Sequence, residues 1–386
     1  MTAPASPKDL LAQLVAFDTV SDRSNIPLIE WVRTYLENHG VESHLVPTSD
    51  GTKASLFATV GPSGVGGIGL SGHTDVVPVV GQAWRTEPFR LTEQDGKLYG
   101  RGTSDMKGFI ACILAAVPEL KRRKLAVPFH LILSYDEEIG CTGVRPMIAE
   151  FGKHITRPRC VIVGEPTNMT VVDAHKGPVR WRVELFGRPA HSSMAHLGVN
   201  TITYAGRLLG ELERIEQDLK ALPPDPRFDP PYTTLQVTRI EGGVASNIVP
   251  QDCWFGWEIR ALPGCDHLAI ERRLRTYAEA HCLPQMRAVA PEADIRIAIT
   301  NEVPAFAADP GSEVVALALR AAEANETFAV SYATEASLFH RAGPPTVICG
   351  PGHIAQAHTA NEWIEASQLD ACMRFVRRLA DWAEAG

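Results

Sequence analysis

Several short segments of this chain place histidines and acids beside glycines, where they could hold a cation. Ser71-Gly72-His73-Thr74-Asp75 offers an imidazole and a carboxylate two residues apart, Asp136-Glu137-Glu138 offers adjacent acids, and Gly164-Glu165-Pro166 a single one. Asp105 stands in the glycine-bracketed stretch 100–108, and His358 follows Gly350-Pro351-Gly352. In extended backbone, residues two apart face the same side, so Asp75 can orient His73, and a metal-bound histidine usually needs such a partner. Adjacent side chains diverge, so Glu137 and Glu138 can do different work. Brought together, the carboxylates of Asp75, Asp105, Glu137, Glu138 and Glu165 would repel and raise one another's pKa. A pair of divalent cations would neutralise them and activate a water for hydrolysis. Two histidines with several carboxylates suit Zn²⁺, two per subunit, with Co²⁺ or Mn²⁺ as substitutes. Taken singly, each segment has a plainer reading: a turn, a solvated acidic face, or, for Asp105, a helix N-cap.

What favours the joint reading is where the segments fall. Apolar runs of strand type cover 55–60, 67–71, 129–135 and 160–163, and helical patterns separate them, chiefly 108–124, where Pro118 predicts a kink or an early end. Amphipathic helices are expected over 9–17 and 26–38. Strands alternating with helices read as an α/β domain with a mostly parallel sheet, and such sheets bind ligands at the carboxyl ends of their strands. His73, Asp75, Glu137, Glu138 and Glu165 each follow one of these runs, and His358 follows a further strand at 346–349.

The texture changes near Gly177. Strands are expected over 179–186, 233–240, 253–261 and 294–300, with helices over 200–220 and 267–281. That order, strand-helix-strand-strand-helix-strand, is ferredoxin-like. After about residue 301 the α/β pattern returns, with helices over 312–325 and 366–385. The expected organisation is therefore a catalytic α/β domain over 1–178 and 301–386, interrupted by an inserted α+β domain over 179–300. The proline-rich stretch 223–232 should be an exposed loop.

Composition narrows the function. A net charge of −8 disfavours nucleic acid and anionic membrane surfaces as partners. No apolar run approaches the roughly 20 residues that span a bilayer, and the first ten residues do not read as a signal peptide. Eight cysteines without paired spacing read as buried thiols in a reducing, cytoplasmic compartment.

The segments 71–78, 100–108, 136–138 and 164–167, with 350–362 as a closing histidine motif, resemble in order the signatures of the M20 family of metallopeptidases. The resemblance spans nearly the whole chain, and His175-Lys176-Gly177, Ala190-His191-Ser192-Ser193 and Ala333-Thr334-Glu335-Ala336 are most similar to its acetylornithine deacetylase branch. It implies a zinc-exopeptidase-like catalytic domain with an inserted lid that also dimerises. It further implies that Asp105 bridges two ions and precedes a cis peptide, that His73 and Glu165 complete one ion's ligands, and that Glu138 and His358 complete the other's. Asp75 is then the partner of His73, and Glu137 the general base. His191 is expected to reach a neighbouring subunit's site and stabilise the oxyanion, Asn247 and Arg260 to hold a substrate α-carboxylate, and Thr334 and Glu335 to shape the pocket. Glu335 has the charge to pair with a substrate ammonium. The implied substrate is a small N-acyl amino acid, N²-acetyl-L-ornithine first, with N-succinyl-diaminopimelate or another acyl amino acid or dipeptide as the alternative. Met194, Ala195 and His196 stand where many relatives have a proline, so that loop is expected to differ in shape from theirs.

Overall fold

The structure is a computed structural model and describes residues 5–385. The chain forms two compact units. One runs to Ala174 and resumes over Phe306–Ala329 and from Thr334 onward; the other comprises His175–Ala305 with Val330–Ala333. These edges lie a few residues from those expected at 178 and 300. In the second unit the entering and leaving segments run side by side: Val303 N donates to Pro178 O at 3.0 Å, and a Cβ on Gly177 would sit 2.2 Å from Ala305 N.

The first unit is built on a mixed sheet in the order Ser43–Pro47, Ala54–Val60, Phe129–Ser134, Ile68–His73, Cys160–Pro166, Thr346–Gly350, Val172–His175. Its middle strands, Phe129–Ser134 through Thr346–Gly350, run parallel, and the flanking pairs are antiparallel. Each of those middle strands is buried along its whole length, as their predominantly apolar sequences suit in a sheet covered on both faces. Helix Lys107–Leu120 is buried on nearly every side and packs against the helices Pro7–Val15 and Ala366–Ala385. It passes through Pro118 and stops two residues later, an early end rather than a kink. Ser6 caps the helix Pro7–Val15 with a full capping box through Asp9.

The second unit is a four-stranded antiparallel sheet in the order Thr234–Gly242, Asp252–Ala261, Gly177–Phe186, Asp294–Glu302, the ferredoxin-like arrangement. Alternate residues of Gly177–Phe186 and Asp252–Ala261 point into a core centred on Trp181 and Trp257, whose rings stack 4.0 Å apart. Helix Thr201–Lys220 covers it with Ala205, Leu208, Leu212, Ile215 and Leu219, at helical spacing. Asn200 caps this helix by accepting from Thr203 N. The helix expected over 267–281 is instead His267–Tyr277, a π turn Ala278–Cys282, and a further helix Leu283–Val289. The stretch 223–232 is a loop, largely exposed apart from Phe228, and holds a cis Asp229–Pro230 bond. Among the described residues every cysteine is free, and only Cys265 is not buried.

Candidate metal centre

Sheet register brings the first ligand candidates together. His73 ends its strand opposite Ser134, and Ser71 pairs with Val163 on the other neighbour. His73 and Glu165 are thus each two residues beyond a paired position, on adjacent parallel strands. The chain turns sharply after Ser134 through Asp136, which takes a left-handed conformation (φ 54°) and ion-pairs with Lys53. That turn aims the backbone of Glu137 and Glu138 at Asp75, whose carboxylate accepts from their N–H groups at 3.1 and 3.3 Å. Ser21 Oγ donates to the same carboxylate at 2.7 Å. Asp105 precedes a cis peptide bond and the helix Lys107–Leu120, and His358 sits in a loop with φ 61°. At the back of the Glu165 strand Gly164 is obligatory, because a Cβ there would lie 2.0 Å from the Phe109 ring.

The side chains converge tightly. His73 Nε2 lies 3.0 Å from Asp105 Oδ1 and 3.8 Å from Glu165 Oε1. His358 Nε2 lies 2.9 Å from Glu138 Oε2 and 3.3 Å from Asp105 Oδ2. Ligand atoms of His73, Asp105 and Glu138 fall within 4.8 Å of one another, and so do those of His73, Glu137 and Glu165. His73 Nδ1 is 2.9 Å from the Asp75 carbonyl oxygen and 3.5 Å from its carboxylate. A carbonyl only accepts, so Nδ1 carries a hydrogen, and Nε2 is the nitrogen turned towards the cluster, where a cation would displace its proton.

The electrostatics are those of a centre short of positive charge. Burial, and beyond it the charges of Glu138 and Asp105, push Glu137 well above the usual carboxylate range against the pull of His73. Burial and the same Asp105 charge raise Glu165 well above it and Glu138 to about 7. Burial would lower His73 and raise Asp105, but their mutual contact, with His358 on Asp105, reverses both shifts. Contacts with Asp105 and Glu138 raise His358 to about 10. Glu165 Oε1 is buried with no hydrogen-bond partner among the described residues. Carboxylates crowded this closely, with one orphaned oxygen and two imidazole nitrogens turned towards them, fit divalent cations of the zinc type.

The remaining predicted residues are divided between the two units. Thr334 and Glu335 belong to the first unit and are buried; Glu335 is only 1% exposed and lies beneath the cluster, its Oε2 3.4 Å from Ser71 Oγ, and burial raises it to about 7. In the second unit His191 and Asn247 are neighbours: His191 bridges to Ile248, and Ser192 N donates to Asn247 O at 2.9 Å. His191 is exposed, its Nδ1 2.8 Å from Ser193 Oγ, and the loop after it is a distorted 3₁₀ turn, Ser192–Leu197. Arg260 lies at the far end of the strand Asp252–Ala261, beside Glu258.

Sequence reasoning missed some contributors. Ser21 and Cys141 carry no motif signal; the Cys141 thiol donates to Glu137 Oε1 at 3.3 Å. Glu362 was visible as the last residue of the closing motif but had no role. It is buried beneath Asp105 and bonded to that residue's N–H.

Residues 69–382 match the profile of Peptidase family M20/M25/M40. The chain is 38% identical over 373 residues to the acetylornithine deacetylase of Myxococcus xanthus, covering 95% of each chain. Among solved structures it resembles an M20 family metallo-carboxypeptidase from Sulfolobus solfataricus, with a TM-score of 0.77 at 17% identity, covering 99% of this chain and 100% of that one. It also resembles a dinuclear metal-binding M20 peptidase from Bacillus subtilis, with a TM-score of 0.69 at 15% identity, covering 97% and 96%. A profile match over most of the chain, on top of a cluster built to hold cations, makes this protein a member of Peptidase family M20/M25/M40 and a metal-dependent amide hydrolase.

Proposed function

We propose that the protein deacetylates N²-acetyl-L-ornithine, giving L-ornithine and acetate, as a step of arginine biosynthesis in the cytoplasm. His73, Asp105 and Glu165 hold one divalent ion, and Asp105, Glu138 and His358 hold a second, with zinc as the proposed metal and Co²⁺ or Mn²⁺ as substitutes. When bound, such ions polarise the scissile carbonyl and make water acidic enough to attack near neutral pH. Asp75 fixes His73 and the 137–138 backbone together. Glu137 takes the proton from the attacking water and passes it to the leaving amine, so the C–N bond breaks without releasing a free amide anion. The Cys141 thiol occupies one Glu137 oxygen, which leaves the other for that transfer. His191 stabilises the oxyanion, Asn247 and Arg260 hold the substrate α-carboxylate, and Thr334 and Glu335 shape the pocket.

The observation that supports this reading most is the meeting of ligand types from separate strand ends beside Glu137, in a chain 38% identical to a deacetylase of that name. A second copy of the chain belongs to the proposal. Asn247 follows the strand end paired at Gly242 and Cys253, whereas Arg260 is seven residues further along, about 24 Å at the usual rise of a strand. One chain cannot offer both residues to one carboxylate, so a homodimer is proposed, joined through the second unit. The outer strand Thr234–Gly242 leaves one edge unpaired and exposes Val237 and Ile240, with Val244 and Ile248 beyond it.

The test is product detection from acetylornithine, succinyl-diaminopimelate and acetylmethionine side by side, with and without added Zn²⁺ or Co²⁺. Metal-dependent release of ornithine with the highest kcat/KM supports the proposal; preference for the succinyl substrate replaces it with a desuccinylase. A Glu335→Gln variant joins the panel, since an unchanged preference over acetylmethionine removes that residue from recognition.

A further inference from the structure

We propose that Glu362 is a positioning residue that locks the Asp105 loop to the His358 loop, with Arg101 and Gln82 as intermediaries, and so sets the spacing of two proposed metal ligands. The inference rests on the metal-centre reading above.

Glu362 is fully buried, and its carboxylate is saturated. Oε1 accepts from Ser104 N at 2.8 Å and Asp105 N at 3.0 Å. Oε2 accepts from Gly102 N at 2.9 Å and from the Arg101 guanidinium at 2.8 Å. The Glu362 carbonyl also accepts from Gly100 N at 2.9 Å. Four donors fill the roughly four acceptor sites of a carboxylate, so no lone pair remains for an ion or a substrate, and Glu362 can act only through what it holds.

It holds the loop that delivers Asp105, and a chain of contacts runs back to His358. A second Arg101 nitrogen lies 2.5 Å from Gln82 Oε1, and Gln82 Nε2 donates to the His358 carbonyl at 3.0 Å. Asn361, between them, accepts from Arg85 N at 2.7 Å. The circuit Glu362–Arg101–Gln82–His358 closes within a few residues of both ligands. A buried ion pair is in itself poor evidence of added stability, because desolvation offsets its attraction. Here, however, three of the four carboxylate donors are backbone N–H groups of a single loop, those of Gly102, Ser104 and Asp105. That pattern fixes geometry, as the partners of metal ligands generally do.

Glu362→Gln keeps the size but turns one acceptor into a donor, so in either orientation an NH₂ faces existing donors. The experiment titrates Co²⁺ into metal-free wild type, Glu362→Gln, Gln82→Leu and, as an exposed control nearby, Glu365→Gln, reading stepwise affinity by calorimetry and the visible absorption of the bound ion. Wild type is expected to take two ions. Glu362→Gln should weaken binding about 10–100-fold and shift the cobalt band; Gln82→Leu, which removes the bond to the His358 carbonyl together with those from Arg101 and Trp84, should weaken it by about 3–10-fold or more; Glu365→Gln should match wild type. A folded Glu362→Gln protein with wild-type affinities and an unshifted band overturns the proposal. Should that variant not fold, Gln82→Leu decides, and wild-type binding by it overturns the proposal. A wild-type chain that takes up no Co²⁺ overturns instead the metal-centre reading beneath it.

Discussion

Asp75→Asn perturbs the centre without removing any proposed ligand. The wild-type carboxylate receives Glu137 N, Glu138 N and Ser21 Oγ, and its charge lies 3.5 Å from His73 Nδ1. Burial alone would raise its pKa, but His73 and Ser21 more than offset this, so it is ionised at neutral pH. In the asparagine variant one oxygen becomes NH₂. Ser21 can rotate to accept from it, but a backbone N–H of Glu137 or Glu138 loses its acceptor whichever way the amide turns. One hydrogen bond to a charged group contributes about 1.5–3 kcal/mol. Replacing the carboxylate partner of a metal-bound histidine usually costs 10–100-fold in affinity, about 1.4–2.7 kcal/mol, so the two estimates overlap. Metal affinity measured by competition with a chromophoric chelator should therefore fall about 10–100-fold, and activity at limiting metal should fall with it, partly recovering in excess metal. A folded Asp75→Asn protein with unchanged affinity would refute the assignment of Asp75 as the residue that orients the centre.

Glu137→Gln should lower kcat by about 10²–10⁴-fold, the usual share of a general base, while metal content measured by elemental analysis stays at the wild-type value; activity near wild type removes Glu137 from proton transfer. His130 is buried with Nε2 accepting from Gly67 N at 2.9 Å, and burial lowers its pKa to about 4 from 6.5. The unfolded chain is protonated at His130 before the native state is, so its stabilising share is complete above pH 6.5 and is lost as pH falls towards 4, by about 3 kcal/mol at 1.36 kcal/mol per unit. Urea midpoints should show the gap between wild type and His130→Gln narrowing by about 2–3 kcal/mol from pH 7.5 to 4.5, and a constant gap contradicts this. Gly164→Ala should cost about 1–3 kcal/mol or more through overlap with Phe109. Gly206→Ala, with nothing within 4 Å of the added methyl in the helix Thr201–Lys220, should gain about 1 kcal/mol; thermal melts that reverse this order would undo the packing argument.

The strands that carry the centre were legible because each is a short, mostly apolar run, and the acids and histidines at their ends stand out against such runs. The second unit was legible for the opposite reason: its sheet has one buried face, so Gly177–Phe186 and Asp252–Ala261 alternate cleanly. Other features had no local signal. The strands Thr92–Gln94 and Lys97–Tyr99 are too short to carry a period, and the antiparallel pairing of Ala54–Val60 depends on its neighbours rather than its own residues. The π turn at Ala278–Cys282 interrupts a helix whose composition gives no warning. The resemblance places Glu335 beside the pocket, and its full burial depends on the packing of Ser71 and the helix Ala336–Arg341 around it, which no spacing reveals. The bonds of Glu362 to residues some 260 positions earlier in the chain are likewise a property of the fold.

Diffraction from crystals grown with Zn²⁺, recorded on either side of the zinc absorption edge, tests the centre most directly. Two anomalous peaks flanking Asp105, one against His73 and Glu165 and the other against Glu138 and His358, are the predicted result. Peaks only at other surfaces, or none where the native fold is intact, would contradict it.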